Sequence, residues 1–172
     1  MSVTIEENFD HIPKIKEAVE YITSHHIQIG VFGDDDSELL MIARVQEFGV
    51  QIEVTEAMRG YLWATGMGIG PDTEYINIPE RSFMRAGYDA NKDDFNRTAE
   101  DLIQQVLALE IEPKAAFEAI GLQIQSAIQE YLTDLDEPAN HPYTVDKKNR
   151  SNPLVNTGSL RDRGITYKIV SD

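Results

Sequence analysis

The chain contains no cysteine, so it closes no disulfide, offers no thiolate to a metal, and asks for no oxidising compartment. Histidine is scarce, with four copies, and tryptophan occurs once in 172 residues. No stretch approaches the roughly 20 apolar residues of a membrane-spanning helix, and no membrane partner is expected. Met1–Glu7 has neither the basic flank nor the apolar run of a signal peptide, which reads as synthesis in the cytoplasm. Positive charge is also short: 15 Lys and Arg face 30 Asp and Glu, a formal net charge of −15. A body this acidic argues against gripping DNA, because phosphate binding needs clustered Lys and Arg.

What is present is ordinary for a folded protein: 41% hydrophobic and 26% charged residues, enough for a single domain over 1–172 with its own core. The charge is unevenly spread. Residues 1–140 hold 27 acids against 9 Lys and Arg, whereas 141–172 hold 3 acids against 6. The bland reading is solubility; the other is a basic interaction surface on an acidic body.

Periodicity outlines the elements. Ile12, Ile15, Val19 and Ile22 at helical spacing predict an amphipathic helix over about Asp10–Ser24, with Asp10 as cap and Pro13 tolerated in the first turn. His26–Phe32 reads as a strand with Ile27, Ile29 and Val31 on one face. Asp36 or Ser37 caps a helix running to Phe48, and Gly49 stops it. A short helix over Thr55–Thr65 puts Met58, Tyr61 and Leu62 on one side, and Glu74–Ile78 reads as a strand ended by Pro79. After a transition at Arg81–Tyr88, a long helix over about Ala90–Leu109 carries the stripe Phe95, Ala99, Leu102, Ile103 and Val106. Pro113 opens another helix with core positions Phe117, Ile120, Ile124, Ile128, Tyr131 and Leu135, and the short link between the two predicts an antiparallel hairpin. The polar stretch 136–152 shows no periodicity and is expected to be an extended loop. The expected class is α+β: a small mixed or antiparallel sheet of about three to four strands against the long helical hairpin, with shorter helices.

No constellation of reactive groups emerges. Asp34, Asp35, Asp36 and Glu38 lack the alternating spacing of a calcium loop and read as a solvated turn with a cap. The rings of His25 and His26 point to opposite faces of a strand and cannot chelate one ion, while His11 and His141 stand alone. Gly66, Gly68 and Gly70 lack the strand and helix of a dinucleotide site. Ser159 lacks the strand–elbow setting of a hydrolase nucleophile. The chain therefore reads as no enzyme, with no cofactor and no metal. Arg81 and Arg85, four apart, admit two readings: pairing with acids such as Glu80 or Asp89, or projection across a subunit contact. Phe83 between them reads as core. In Glu47-Phe48-Gly49, Phe48 is expected to anchor the helix end in the core.

The most informative run is Asn152–Tyr167. Pro153 stiffens its start, Leu154 is apolar, and Asn156 or Thr157 can cap one helical turn over Gly158–Asp162 that contains Leu160. Gly164 is expected to leave that turn with positive φ. Ile165, Tyr167 and Ile169 then alternate with Thr166, Lys168 and Val170 as a strand.

This run resembles the C-terminal signature of the bacteriophage virion-morphogenesis, or tail-completion, family. Ala43–Gly49 is similar to that family's helix ending in Glu-Phe-Gly, and Ile78–Arg85, with Pro79 and Phe83, to its Ile-Pro-x-Arg-x-Phe stretch. The three matches stand in order from about Ile42 to the C-terminus; Glu80 and Ser82 fill variable slots, and Arg163 replaces a small polar residue. The resemblance implies a late structural protein of the virion, acting at the neck of a tailed phage, prophage or tailocin. It would form a homo-oligomeric ring, commonly a hexamer, that completes the tail and joins it to the head connector or stopper, next to the tail tube or terminator protein. A tail terminator or a minor tail component is the alternative within that family. Six copies at −15 each would give a ring a formal charge near −90, and acids facing the lumen would let genomic DNA pass without specific binding. The interface candidates are Arg81, Arg85, Lys147, Lys148, Arg150, Arg161 and Arg163. The competing class is a nucleic-acid-binding accessory protein using the basic 147–163 segment, disfavoured by its few charges and lack of stacking aromatics.

Overall fold

The computed structural model describes residues 11–34, 36–148, 152, 154 and 158–172, with only the backbone of Lys147 and Lys148. Along the chain run α1 (His11–Ser24), β1 (His25–Val31), α2 (Ser37–Phe48), β2 (Val50–Glu53), α3 (Glu56–Ala64), β3 (Tyr75–Ile78), α4 (Phe83–Leu107), α5 (Pro113–Asp134), α6 (Pro142–Lys148), a five-residue π-helix (Leu160–Gly164) and β4 (Ile165–Ser171). The class is α+β. The four strands form two separate pairs, not one sheet: β1 with β4, and β2 with β3. In the second pair Val50 faces Ile78 and Glu53 faces Tyr75, antiparallel. The N–H of Asp172 donates to Ser24 O at 2.9 Å, setting the end of β4 against the start of β1, so the first pair is antiparallel too.

Two compact units can be distinguished: residues 1–29, 91–126 and 167–172, and residues 30–90 and 127–166. In the first, Ala18 of α1 clusters with Val106 of α4 and Ala116 of α5, and Ile22, Leu102 and Ile111 pack around them. Phe95, Phe117, Ile120 and Ile124 are buried, as their spacing predicts. The apolar stripe expected to bury α1 does not do so. Ile12, Ile15 and Val19 are exposed, and Ala18 is the buried position. Helices that approach closely select the small side chain, whatever the hydropathy of its neighbours. Gly121 serves a similar end, since a Cβ there would stand 2.5 Å from Tyr167 Cδ2. The Tyr21 ring stacks on His25 with centroids 3.8 Å apart and meets Phe117 edge-on.

In the second unit Asp36 caps α2 by accepting from the N–H groups of Glu38 and Leu39, and Thr55 caps α3 through Met58 N. Phe83, Ile128, Leu132 and Ile165 are fully buried, and Leu39, Ala43, Leu154 and Leu160 are buried as well. A Cβ on Gly87 would lie 3.2 Å from Tyr131 Cβ, which sets the start of α4 against the end of α5. In the first unit the end of α4 meets the start of α5, through Val106 and Ala116. The expected antiparallel hairpin is thus present.

Three further expectations are corrected. The long helix starts at Phe83 and not near Ala90, for a reason that lies in Glu47 and is described below. The stretch 136–152 is not all loop, because α6 occupies Pro142–Lys148. Proline suits a first helical turn, and His141 O accepts from Thr144 N and Val145 N; seven residues are too few to show a period. Finally, the positive φ belongs to Gly158 (φ 87) and not to Gly164. The chain passes from the π-helix straight into extended backbone at Ile165, whose N–H donates to Leu160 O, so no left-handed step is needed at its end. The expected caps Asn156 and Thr157, together with Pro153 and Arg150, lie outside the described residues.

Candidate functional site

Helix α2 ends where Gly49 takes φ 67 and ψ 167, a region essentially closed to other residues. A Cβ there would stand 2.8 Å from both Glu80 N and Ile78 O, so the bare glycine lets 78–80 pass against the helix end. Neighbouring residues on a helix point about 100° apart, and at this helix end only one of Glu47 and Phe48 faces inward. Glu47 is the buried one, at 5% exposure, and Phe48 is 61% exposed. This reverses the expectation that Phe48 anchors the core.

Burying the carboxylate is explained by what it meets. Glu47 Oε2 accepts from Met84 N at 2.9 Å, and Oε1 accepts from Arg85 N at 3.1 Å and Ser82 Oγ at 3.2 Å. These N–H groups belong to the first turn of α4, which has no partners inside the helix. A carboxylate suits that position, since a helix N-terminus is electropositive. Glu47 therefore does from 36 positions upstream what a cap normally does locally, and α4 begins at Phe83 because of it. Arg85 completes the pair: Nε donates to Glu47 Oε1 at 3.0 Å, and Nη2 donates to Glu47 O and Glu80 Oε1. Its guanidinium lies 4.9 Å from the centroid of the Phe48 ring. The hydrogen bond with Glu47, then that with Glu80, raise the Arg85 pKa above its ordinary value.

Arg81 is 3% exposed. Its backbone N–H donates to Gln46 O, and its guanidinium donates to Pro138 O at 2.7 Å, Gln46 Oε1 at 2.9 Å, and Ala139 O and Asn140 Oδ1 at 3.2 Å. All four acceptors are neutral, and burial lowers the pKa of the group. Of the two readings left open for this pair of arginines, Arg85 follows acid pairing. Arg81 follows neither: it does not project from the surface, and its fork staples the end of α2 to residues 138–140. Phe83 between them is fully buried, as expected, and Pro79 is exposed.

The C-terminal run is pinned in the same manner. Asn152 Nδ2 donates to Thr133 O at 2.7 Å, and its Oδ1 accepts from Leu154 N. Gln129 Nε2 donates to Arg161 O and Ile165 O, holding both ends of the π-helix, which packs on α2. Arg161 Nε meets Asp162 Oδ1 at 2.6 Å, a bond that raises the arginine pKa and holds the carboxyl below its usual range. Arg163 is exposed. Gln46, Gln129 and Asn140 carry the framework without any signal in the sequence, because an amide becomes informative only beside its acceptor.

The groups weighed for chemistry fall apart. His25 Nδ1 contacts Tyr21 O and Ser24 Oγ, whereas His26 Nδ1 contacts Asp172 Oδ1. Asp36 is a helix cap, and Ser159 sits at the head of the π-helix. Among the described residues no three His, Asp or Glu gather as a metal site, and no helix is long and apolar enough to cross a membrane. A concavity of about 440 Å³ in the first unit, between α1 and the α4–α5 link, has an apolar floor at Ala18 and Val106, with Lys14, Glu17, Glu112 and Lys114 exposed at its edge. No protein-family model, curated protein or solved structure matches the chain.

Proposed function

We propose that this chain is a structural protein of a tailed-phage virion that assembles as a neck ring, completes the tail and joins it to the head connector, with DNA passing through an acidic lumen. The carrying observation is the use made of the motif side chains. Glu47, Arg81, Arg85 and Gly49 are all consumed in joining α2, α4 and residues 138–140, which is the work of a scaffold and leaves none of them for catalysis. Meanwhile Met41, Phe48, Tyr61, Trp63 and Tyr75 stay exposed in the same unit, a surface suited to protein contacts. With Arg81 internal and Arg85 paired with Glu47 and Glu80, the basic contact residues reduce to Lys147, Lys148, Arg150, Arg161 and Arg163. Electron microscopy of particles made without this chain tests the reading. Full heads beside free tails support a joining role, overlong tails convert it to a terminator, and normal particles end it.

A further inference from the structure

We infer that the exposed apolar row of α1 pairs antiparallel with the same row of a second copy of this chain. Ile12, Ile15 and Val19 follow one another at three and four residues, which sets them along one side of the helix. They are 59%, 37% and 42% exposed. Val19 stands about 100° round the helix from Ala18, the one position that α1 buries in its own unit. An exposed apolar residue by itself needs no explanation. A contiguous row of three at helical spacing is the form that a contact surface takes.

Charge names the occupant. Along α1 the cations come first, Lys14 and Lys16, and the acids second, Glu17 and Glu20, all four exposed. Among the described residues no ion pair uses any of them. Their order opposes the helix dipole, which favours acids at the start and cations at the end. Lys16 four residues before Glu20 is also the weaker orientation for such a pair. The arrangement therefore does little for α1 by itself. It suits two copies laid antiparallel, where the cationic half of each helix meets the acidic half of the other and Lys16 faces Glu20 of the second copy. A partner of uniform charge would meet as many like charges as opposite ones. The whole chain carries −15 and repels itself, whereas residues 11–24 balance two cations against two acids, a neutral surface on which copies can meet. Both copies offer the same patch, so the contact closes as a two-fold pair, separate from the contacts of a ring.

The chain holds no cysteine, so single cysteines placed in α1 of the full chain report the pairing through a short bis-maleimide. Setting Lys16 against Glu20 puts the two-fold axis level with residue 18. Val19 and its counterpart then lie about 3 Å apart along the helices, and Ile12 and its counterpart about 18 Å apart. Val19→Cys should cross-link to itself. Ile12→Cys should not, yet it should cross-link to Thr23→Cys when the two variants are mixed. In the Val19→Cys background, Lys16→Glu and Glu20→Lys should each lower the dimer yield about fivefold or more, since each reversal turns two attractive pairs repulsive. Both reversals together should restore it. Equal self-cross-linking at Ile12 and Val19, none at either, or a double reversal that fails to recover overturns the inference. So does a monomer whose Val19→Cys thiol reacts slowly with maleimide, because its own chain then covers the row. The neck reading is decided by particles lacking the chain and is untouched by either result.

Discussion

The two units are held by different physics. In the first, helices meet through Ala18, Val106 and Ala116, with Ile22, Leu102 and Ile111 around them; the cohesion is apolar area and close approach. The second has an apolar interior too, but its elements are fixed in place by Glu47, Arg81 and Arg85 bonding across 35 to 59 positions of sequence. Apolar contact tolerates small shifts. A carboxylate that takes two backbone N–H groups, or a guanidinium that takes four acceptors, does not. The second unit should therefore be the brittle one, failing to single polar substitutions that would be harmless on a surface.

The sharpest way to break it is Arg81→Ala, expected to cost about 3 kcal/mol, because Gln46 and residues 138–140 lose the buried guanidinium that joins them. Arg81→Lys should recover little, since an ammonium cannot reproduce the fork. Urea unfolding measures both, and near-wild-type stability of the lysine variant would refute the stapling role. Glu47→Ala should cost about 2–3 kcal/mol through the lost cap on α4 and its unsatisfied N–H groups. Hydrogen exchange should then speed at Met84 and Arg85 before the rest of the helix, and uniform exchange would show that the cap is not local. For the first unit, Ala18→Leu should cost about 1–3 kcal/mol by overpacking, while Ile12→Ser, on the exposed stripe, should stay within about 0.5 kcal/mol; the reverse order would restore the predicted apolar face of α1.

The smallest effect concerns Asp162, whose carboxyl is held below its usual range chiefly by the hydrogen bond from Arg161. Its folded pKa lies under the unfolded value of about 4, so whatever it contributes is complete above about pH 4 and fades as pH falls through the folded value. An NMR titration of the Asp162 carboxyl should show this, and Arg161→Gln should return it towards the ordinary range.

Much of the skeleton was legible because its signals are local. A cap at Asp36 or Ser37, Gly49 as stop, Pro113 as start and the Phe117–Ile128 spacing each act within one or two helical turns, and the cap is Asp36. The four-residue strand β2 is not visible in the sequence, being too short to show alternation and needing its partner Tyr75–Ile78 to exist. The start of α4 is hidden in the sequence for a similar reason: its cap is not beside it in the chain. At the candidate site Glu47, Phe48, Arg81 and Arg85 stand out in the sequence while Gln46 and Asn140 do not, and Phe48, expected in the core, is exposed where Glu47 is buried.

The amino-acid sequence alone determined the α+β class, the cap of α2, the helical hairpin and the marked excess of acid, because propensity, periodicity and charge are properties of neighbours in the chain. Tertiary structure alone decided that Glu47 turns inward, that Arg81 is a staple and not a contact, and that Ala18 is buried while Ile12 is exposed. Each of those outcomes depends on which donor, acceptor or backbone arrives from far along the chain, and a buried polar group is stable only where that partner meets it.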